Sequence, residues 1–202
     1  NRADGVELSY GDKVKLSLAA GKATDEITKL YVLEGTTGGN YAGGALSADF
    51  GAVNATAGYY NFKDILQKDS GIDNAIWFVG AGTSFGDFGL NAMYLKGDAS
   101  YQGHDLDDDG YTVGLTWKGA EAAKAGSYGL FANYYDLGGQ TYIAHTTDAD
   151  TFDGEGFKGY GVGANYTVAK NMVFTAAYYD TKSKLNSSDK DKIIWTDLTF
   201  TF

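Results

Sequence analysis

The sequence predicts an all-β chain, a transmembrane antiparallel up-and-down β-barrel, and three observations predict it. Proline is absent from all 202 residues, where average usage would give roughly ten. Long, continuously paired strands exclude proline because it cannot donate to a ladder. Apolar residues alternate with small or polar ones in short runs, and turn signals separate the runs at the spacing of one strand plus one turn. The last eleven residues, Lys192 to Phe202, keep that alternation to the end. Ile194, Leu198, Phe200 and Phe202 share one face; Trp195, Asp197, Thr199 and Thr201 share the other. In a soluble protein such a strand is an aggregation hazard. In an outer-membrane barrel its last aromatic belongs to the girdle at the periplasmic interface.

Strands are expected at 4–10, 13–21, 41–50, 53–62, 75–85, 88–97, 110–118, 127–137, 157–167, 172–182 and 192–202. The first ends at Gly11-Asp12. The second offers Val14, Leu16, Leu18 and Ala20 to one side and Lys13, Lys15, Ser17 and Ala19 to the other. Gly51-Ala52 and Gly86-Asp87 are turns of the next two hairpins. Strand 110–118 sets Tyr111, Val113, Leu115 and Trp117 against Thr112, Gly114, Thr116 and Lys118. Gly119 to Gly126 connects it to 127–137. Strand 157–167 sets Tyr160, Val162, Ala164 and Tyr166 against Gly159, Gly161, Gly163, Asn165 and Thr167, and Ala169 to Asn171 turns into 172–182. The connections around 22–40, 63–74, 98–109, 138–156 and 183–191 are longer and richer in Asp, Lys, Ser, Thr and Gly. Short turns on one rim and long loops on the other are the outer-membrane pattern, with the long loops extracellular. Segment 28–34 is left open as an extra strand, a folded-in loop or a short helix.

The apolar set is expected to face lipid. Gly and Ala would leave voids in a soluble barrel that buried its apolar set inside, whereas small and polar residues suit a wet lumen. The Gly-lined and Asn-lined inner faces of 127–137 and 157–167 accordingly read as open. Mean hydropathy is −0.28, and no run approaches the ~18 apolar residues of a transmembrane helix. Absence of Cys excludes disulfides and thiolate metal sites, and a net charge of −10 argues against a nucleic-acid partner. Asn1-Arg-Ala-Asp opens without Met or a leader-like region, which reads as a removed signal peptide or a piece of something longer. Parity favours the second. If Phe202 ends in the periplasm, eleven strands put the first end outside, whereas bacterial single-chain barrels have even strand numbers; an odd number of strands is expected upstream.

Four segments carry a family resemblance: Asp4-Gly-Val-Glu-Leu-Ser-Tyr-Gly to Gly21, Gly126-Ser-Tyr-Gly-Leu-Phe-Ala-Asn-Tyr-Tyr135, Gly161-Val-Gly-Ala-Asn-Tyr to Phe174, and the closing strand. Through them the chain resembles the peptidoglycan-tethered porins of diderm Firmicutes, the OmpM type. The resemblance implies a surface-layer-homology domain, a coiled-coil stalk and a 16-stranded homotrimeric barrel. The first two have no counterpart here. It also implies that these are the last eleven of sixteen strands, with the constriction loop just before Asn1 and the peptidoglycan link in a region absent from this sequence. The implied location is the bacterial outer membrane, and the implied surroundings are lipid bilayer and lipopolysaccharide.

The expected function is a general-diffusion porin, a water-filled channel for small hydrophilic solutes and ions, with no catalysis and no cofactor. Selectivity would then come from lumen side chains. The expected charged lining is Glu7, Lys13, Lys15, Asp49, Lys118 and Asp197, with Asn54, Tyr60, Asn91, Asn133, Tyr135 and Asn165 as neutral lining. Lys13 and Lys15, with Glu7 on the hairpin partner, read either as a charge-paired wall patch or as ordinary solvated residues. Tyr111, Trp117, Tyr128, Tyr160, Tyr166, Phe200 and Phe202 form the expected lipid-facing aromatic belt.

Asp105-Leu-Asp-Asp-Asp-Gly110 begins like a calcium loop. The twelfth position, where an EF-hand needs Glu, is Thr116 inside a strand. Asp105, Asp107 and Asp109 therefore rank as a weak adventitious metal site beside the plain reading, an acidic surface loop. With Asp148, Asp150 and Asp153 they would make an anionic mouth that mildly favours cations. His104 and His145 lie in expected loops without a nucleophile motif, which argues against an enzyme. The remaining alternative is a small barrel that serves as a structural anchor or adhesin without significant transport.

Overall fold

The computed structural model describes residues 3–23, 39–63, 73–101, 104–105, 108–142, 149, 151–152 and 155–201. Its strands are β1 (Ala3–Gly11), β2 (Val14–Ala23), β3 (Asn40–Asp49), β4 (Val53–Lys63), β5 (Asp73–Phe85), β6 (Phe88–Tyr101), β7 (His104–Asp105), β8 (Asp108–Lys118), β9 (Tyr128–Leu137), β10 (Phe157–Ala169), β11 (Met172–Ser183) and β12 (Lys190–Phe200). Eleven of them follow one another antiparallel in a single sheet, and the two-residue β7 pairs only with β6. Among the described residues β1 pairs only with β2 and β12 only with β11, so the sheet is open. The up-and-down order is the expected one.

Turn chemistry fixes the short rim. The β5–β6 hairpin pairs Phe85 with Phe88 and leaves only Gly86 and Asp87 in the turn. Gly86 sits at φ +57°, as a tight hairpin demands and a β-branched residue would resist. At β10–β11 the same left-handed position falls to Asn171, φ 64°, the non-glycine residue type that tolerates it best. At the other rim several strands run past their expected ends. Pairs such as Asp73↔Ser100, Gly97↔Asp108 and Thr181↔Asp191 continue the ladder beyond the apolar band. Hydrogen bonding extends there without alternation to mark it. The expected start of the second strand moves inward, from Lys13 to Val14.

Burial is confined to one face of the sheet. Phe62, Ile76, Leu137, Phe157, Tyr179, Asn74, Thr167, Thr181 and Ser183 are buried, and the register places all of them in one inward set. The strand residues among the exposed large hydrophobics, from Leu8 and Leu18 through Val113 and Leu130 to Ile194 and Leu198, belong to the opposite set. The small buried core is therefore not between two layers. The β9–β10 connection folds onto the inward face, where Tyr142 and Ala149 pack with Leu137, Phe157, Ala177 and Tyr179.

Candidate functional site

The outward face carries two aromatic rows. Phe88 and Tyr94, Tyr111 and Trp117, Tyr128 and Tyr134, and Tyr160 and Tyr166 are each six residues apart on β6, β8, β9 and β10. Six residues of strand span about 20 Å, so each strand holds one ring near either edge of an apolar band. Within the rows, rings meet across strands: Trp77–Tyr94 at 5.6 Å, Tyr111–Tyr134 at 6.0 Å and Tyr160–Tyr178 at 6.5 Å on one side, Phe85–Phe88 at 5.7 Å and Trp117–Tyr128 at 5.8 Å on the other. Past the first row stand charges, with Lys184 bonded to Asp136 at 2.9 Å and Lys192 to Asp180 at 3.6 Å.

The inward face is polar along one continuous row. Asp49 pairs with Asn54, Asn54 with Gly82, Gly82 with Asn91, Asn91 with Gly114, Gly114 with Asn133 and Asn133 with Gly161. The alternation has a steric cause. A Cβ on Gly114 would meet the side-chain oxygens of both Asn91 and Asn133 at 2.7 Å, so each amide lies over a glycine of the next strand. Asn165 also pairs with a glycine, Gly129, but there the Gly119 backbone and not the amide occupies the space over it.

These rows place the expected lining. Asn54, Asn91, Asn133 and Asp49 come together in the amide row, and Asn165 and Asp197 lie further along the inward set. Asp49 also accepts a 2.7 Å hydrogen bond from the Gly51 amide, which makes it a turn residue as well. Asp197 accepts one from Thr199 at 2.8 Å. Glu7, which accepts from Ser9 at 3.1 Å, and Lys15 are inward. They do not form a charge-paired patch: Glu7 stands opposite Ala19 and Lys15 opposite Gly11, four residues away in register, about 13 Å. Lys13 lies in the turn rather than on the strand. Lys118 departs most from expectation. Its φ of 57° takes it out of the alternation, and its ammonium stands 4.7 Å from the Trp117 ring centre and 5.0 Å from that of Tyr128, among the outward aromatics. Of the expected belt, Tyr111, Trp117, Tyr128, Tyr160, Tyr166 and Phe200 share the outward face.

The chain matches the Gram-negative porin family over residues 7–187. The chain belongs to that family. Among solved structures it is similar to an anion-selective porin from Comamonas acidovorans, with a TM-score of 0.53 and 17% identity. The match covers 92% of this chain and 52% of that one, so the chain spans about half the length of the structure it matches. No curated protein matches it. A porin is a channel of the outer membrane, not an enzyme, and the two faces take their meaning from that: aromatic rows bracketing an apolar band are how a porin wall meets lipid.

Two features of this porin wall escaped the alternation. Glycines of β10 expected to leave the inner face open are covered by rings, Phe131 over Gly163 and Tyr135 and Tyr179 over Gly161, and on β4 Phe78 covers Gly58 in the same way. Tyr60 and Tyr135, expected as scattered neutral lining, join Phe62, Ile76, Phe78, Met93, Leu95 and Leu137 in an apolar inward patch. The signal was present in period-2 positions of β4, β5 and β6 that are apolar on both faces. Asp107, Asp148, Asp150, Asp153, His145, Phe202 and segment 28–34 lie outside the described residues, as do the side chains of His104 and Asp105. Among the described residues no cluster of three metal-ligating side chains occurs.

Proposed function

We propose that these eleven strands are an arc of a closed, water-filled general-diffusion pore for small hydrophilic solutes and ions. The observation that carries this is the segregation of the sheet: exposed large apolar side chains on one face, the Asn–Gly row on the other. The open edges at β1 and β12 support a larger barrel, because unpaired backbone groups are costly in hydrocarbon. Coverage of only 52% of the similar porin agrees with that. The four sequence segments above support the OmpM type, and with it a homotrimer tethered elsewhere in the protein. Lys63, Lys182 and Lys190 beyond the outward band suit anionic lipopolysaccharide headgroups, whereas Lys96 and Lys158 stand opposite Asp109 and Asp136.

The described inward set is acidic, with Glu7, Asp49, Asp108, Asp191 and Asp197 against Lys15. We therefore assign this pore a weak cation preference, opposite to the anion selectivity of the similar Comamonas acidovorans porin. The test is reconstitution of the intact protein, extracted from its membrane, into planar bilayers under a salt gradient. Stepwise, unsaturating ion currents with a reversal potential displaced toward cations are expected. Absence of current would leave an anchor or adhesin as the function.

A further inference from the structure

The inward wall has a recess that a purely hydrophilic pore would not need. Tyr60, Phe62, Phe78, Leu95, Tyr135 and Tyr142 line a hollow of about 370 Å³ on the inward side of β4 to β9. Phe62 and Tyr142 are buried, while Tyr60, Phe78, Leu95 and Tyr135 are only half-covered. The Tyr60 and Phe78 rings stand nearly parallel, 10° apart in plane and 6.4 Å between centres. One wall is built by the chain following β9. Asn74, fully buried, donates to the Gln140 carbonyl at 3.1 Å, and Gly97 leaves the space that this carbonyl occupies. The recess is thus assembled by specific contacts.

Its polar border is equally defined. Thr112 lies in the lining, and two residues further along β8 is Gly114, flanked by the Asn91 and Asn133 amides. Two residues are about 7 Å of strand, so the amides border the hollow directly. Apolar surface with a few convergent polar groups is the composition of a small-molecule site. Most charged inward residues lie elsewhere on the wall: Glu7 and Lys15 on β1 and β2, Asp191 and Asp197 on β12, and Asp49 at the β3 end of the amide row; Asp108 stands on β8 four residues from Thr112, about 13 Å of strand. Reading the inward face as the lumen, as above, we infer that this recess is a solute subsite for small amphipathic molecules, an aromatic ring in the hollow and an uncharged hydrogen-bonding head on the amide row. Such solutes dwell at the wall during passage and transiently obstruct ions.

The probe is benzamide, with acetamide as the head group alone, titrated against the KCl current of the intact porin in planar bilayers. Benzamide is expected to reduce the current saturably while acetamide at matched concentration does not. Phe78→Ala is expected to raise the half-effective benzamide concentration about tenfold through lost ring contact, and Asn133→Ala to raise it less. Where the alanine variant does not assemble, Phe78→Leu keeps apolar volume without the ring and is expected to weaken the effect in the same direction. A current insensitive to benzamide, or equally sensitive in wild type and both Phe78 variants, overturns the subsite and leaves the pore intact. Absence of any current overturns instead the pore reading on which the subsite rests.

Discussion

Single side chains decide how this wall meets its two solvents, and glycine is as informative as any of them. Gly114 is flanked on both neighbouring strands by amides that a Cβ would strike. Gly114→Val is expected to cost about 1–3 kcal/mol, the range of overpacking in a filled site, read as a lower unfolding midpoint in denaturant. Lysines divide by conformation rather than by parity. Lys15 is inward opposite Ser47, so Lys15→Glu is expected to shift the reversal potential further toward cations. Lys118→Glu is expected to leave it nearly unchanged, because that ammonium stands over Trp117 and Tyr128. An equal shift from both would place Lys118 on the conducting side. The alternation puts Asn91, Asn133, Asn165 and Lys15 on one face, and the register keeps them together there. It failed at Lys118 because a left-handed φ at a strand end has no signature in a pattern of apolar and polar residues.

Elements were legible wherever lipid imposes a period on the sequence. All eleven long strands follow from the apolar alternation, since one face of each must be apolar from edge to edge. Their ends at the long-loop rim were not legible: β6 runs to Tyr101 and β5 starts at Asp73 on backbone pairing alone. The fold of the β9–β10 connection was equally hidden. What holds it is tertiary, with Leu137, Tyr142, Ala149 and Phe157 packed together and Ser183 donating to Glu155 at 2.6 Å. Nothing in a loop rich in Asp and Gly announces which way it folds. Gly97→Val places side-chain atoms where the Gln140 carbonyl lies, and is expected to displace residues 138–142 from the wall. Faster proteolysis of that segment in the folded protein, relative to wild type, is the readout; an unchanged rate would mean that Gly97 does not seat it.

For the molecule as a whole, the proposed pore requires one face solvated by hydrocarbon and the other by water. An apolar face this continuous, bordered by two aromatic rows, has no counterpart in the surface of a soluble monomer, where contiguous apolar patches rarely exceed a few hundred Å². Val113, 38% exposed between Tyr111 and Trp117, sits within the apolar band. Val113→Arg is expected to destabilise the folded barrel by about 2–4 kcal/mol in a bilayer, and Thr112→Arg, one residue earlier and inward, by much less. The absence of native Cys makes the face assignment open to direct measurement. Single substitutions to cysteine at 111, 112, 113, 115 and 116, leaving the covered Gly114 in place, in the intact porin in its membrane, would be exposed to a charged, membrane-impermeant thiol reagent. Labelling is expected at 112 and 116 and protection at 111, 113 and 115. Uniform labelling, or the opposite alternation, would contradict the face assignment.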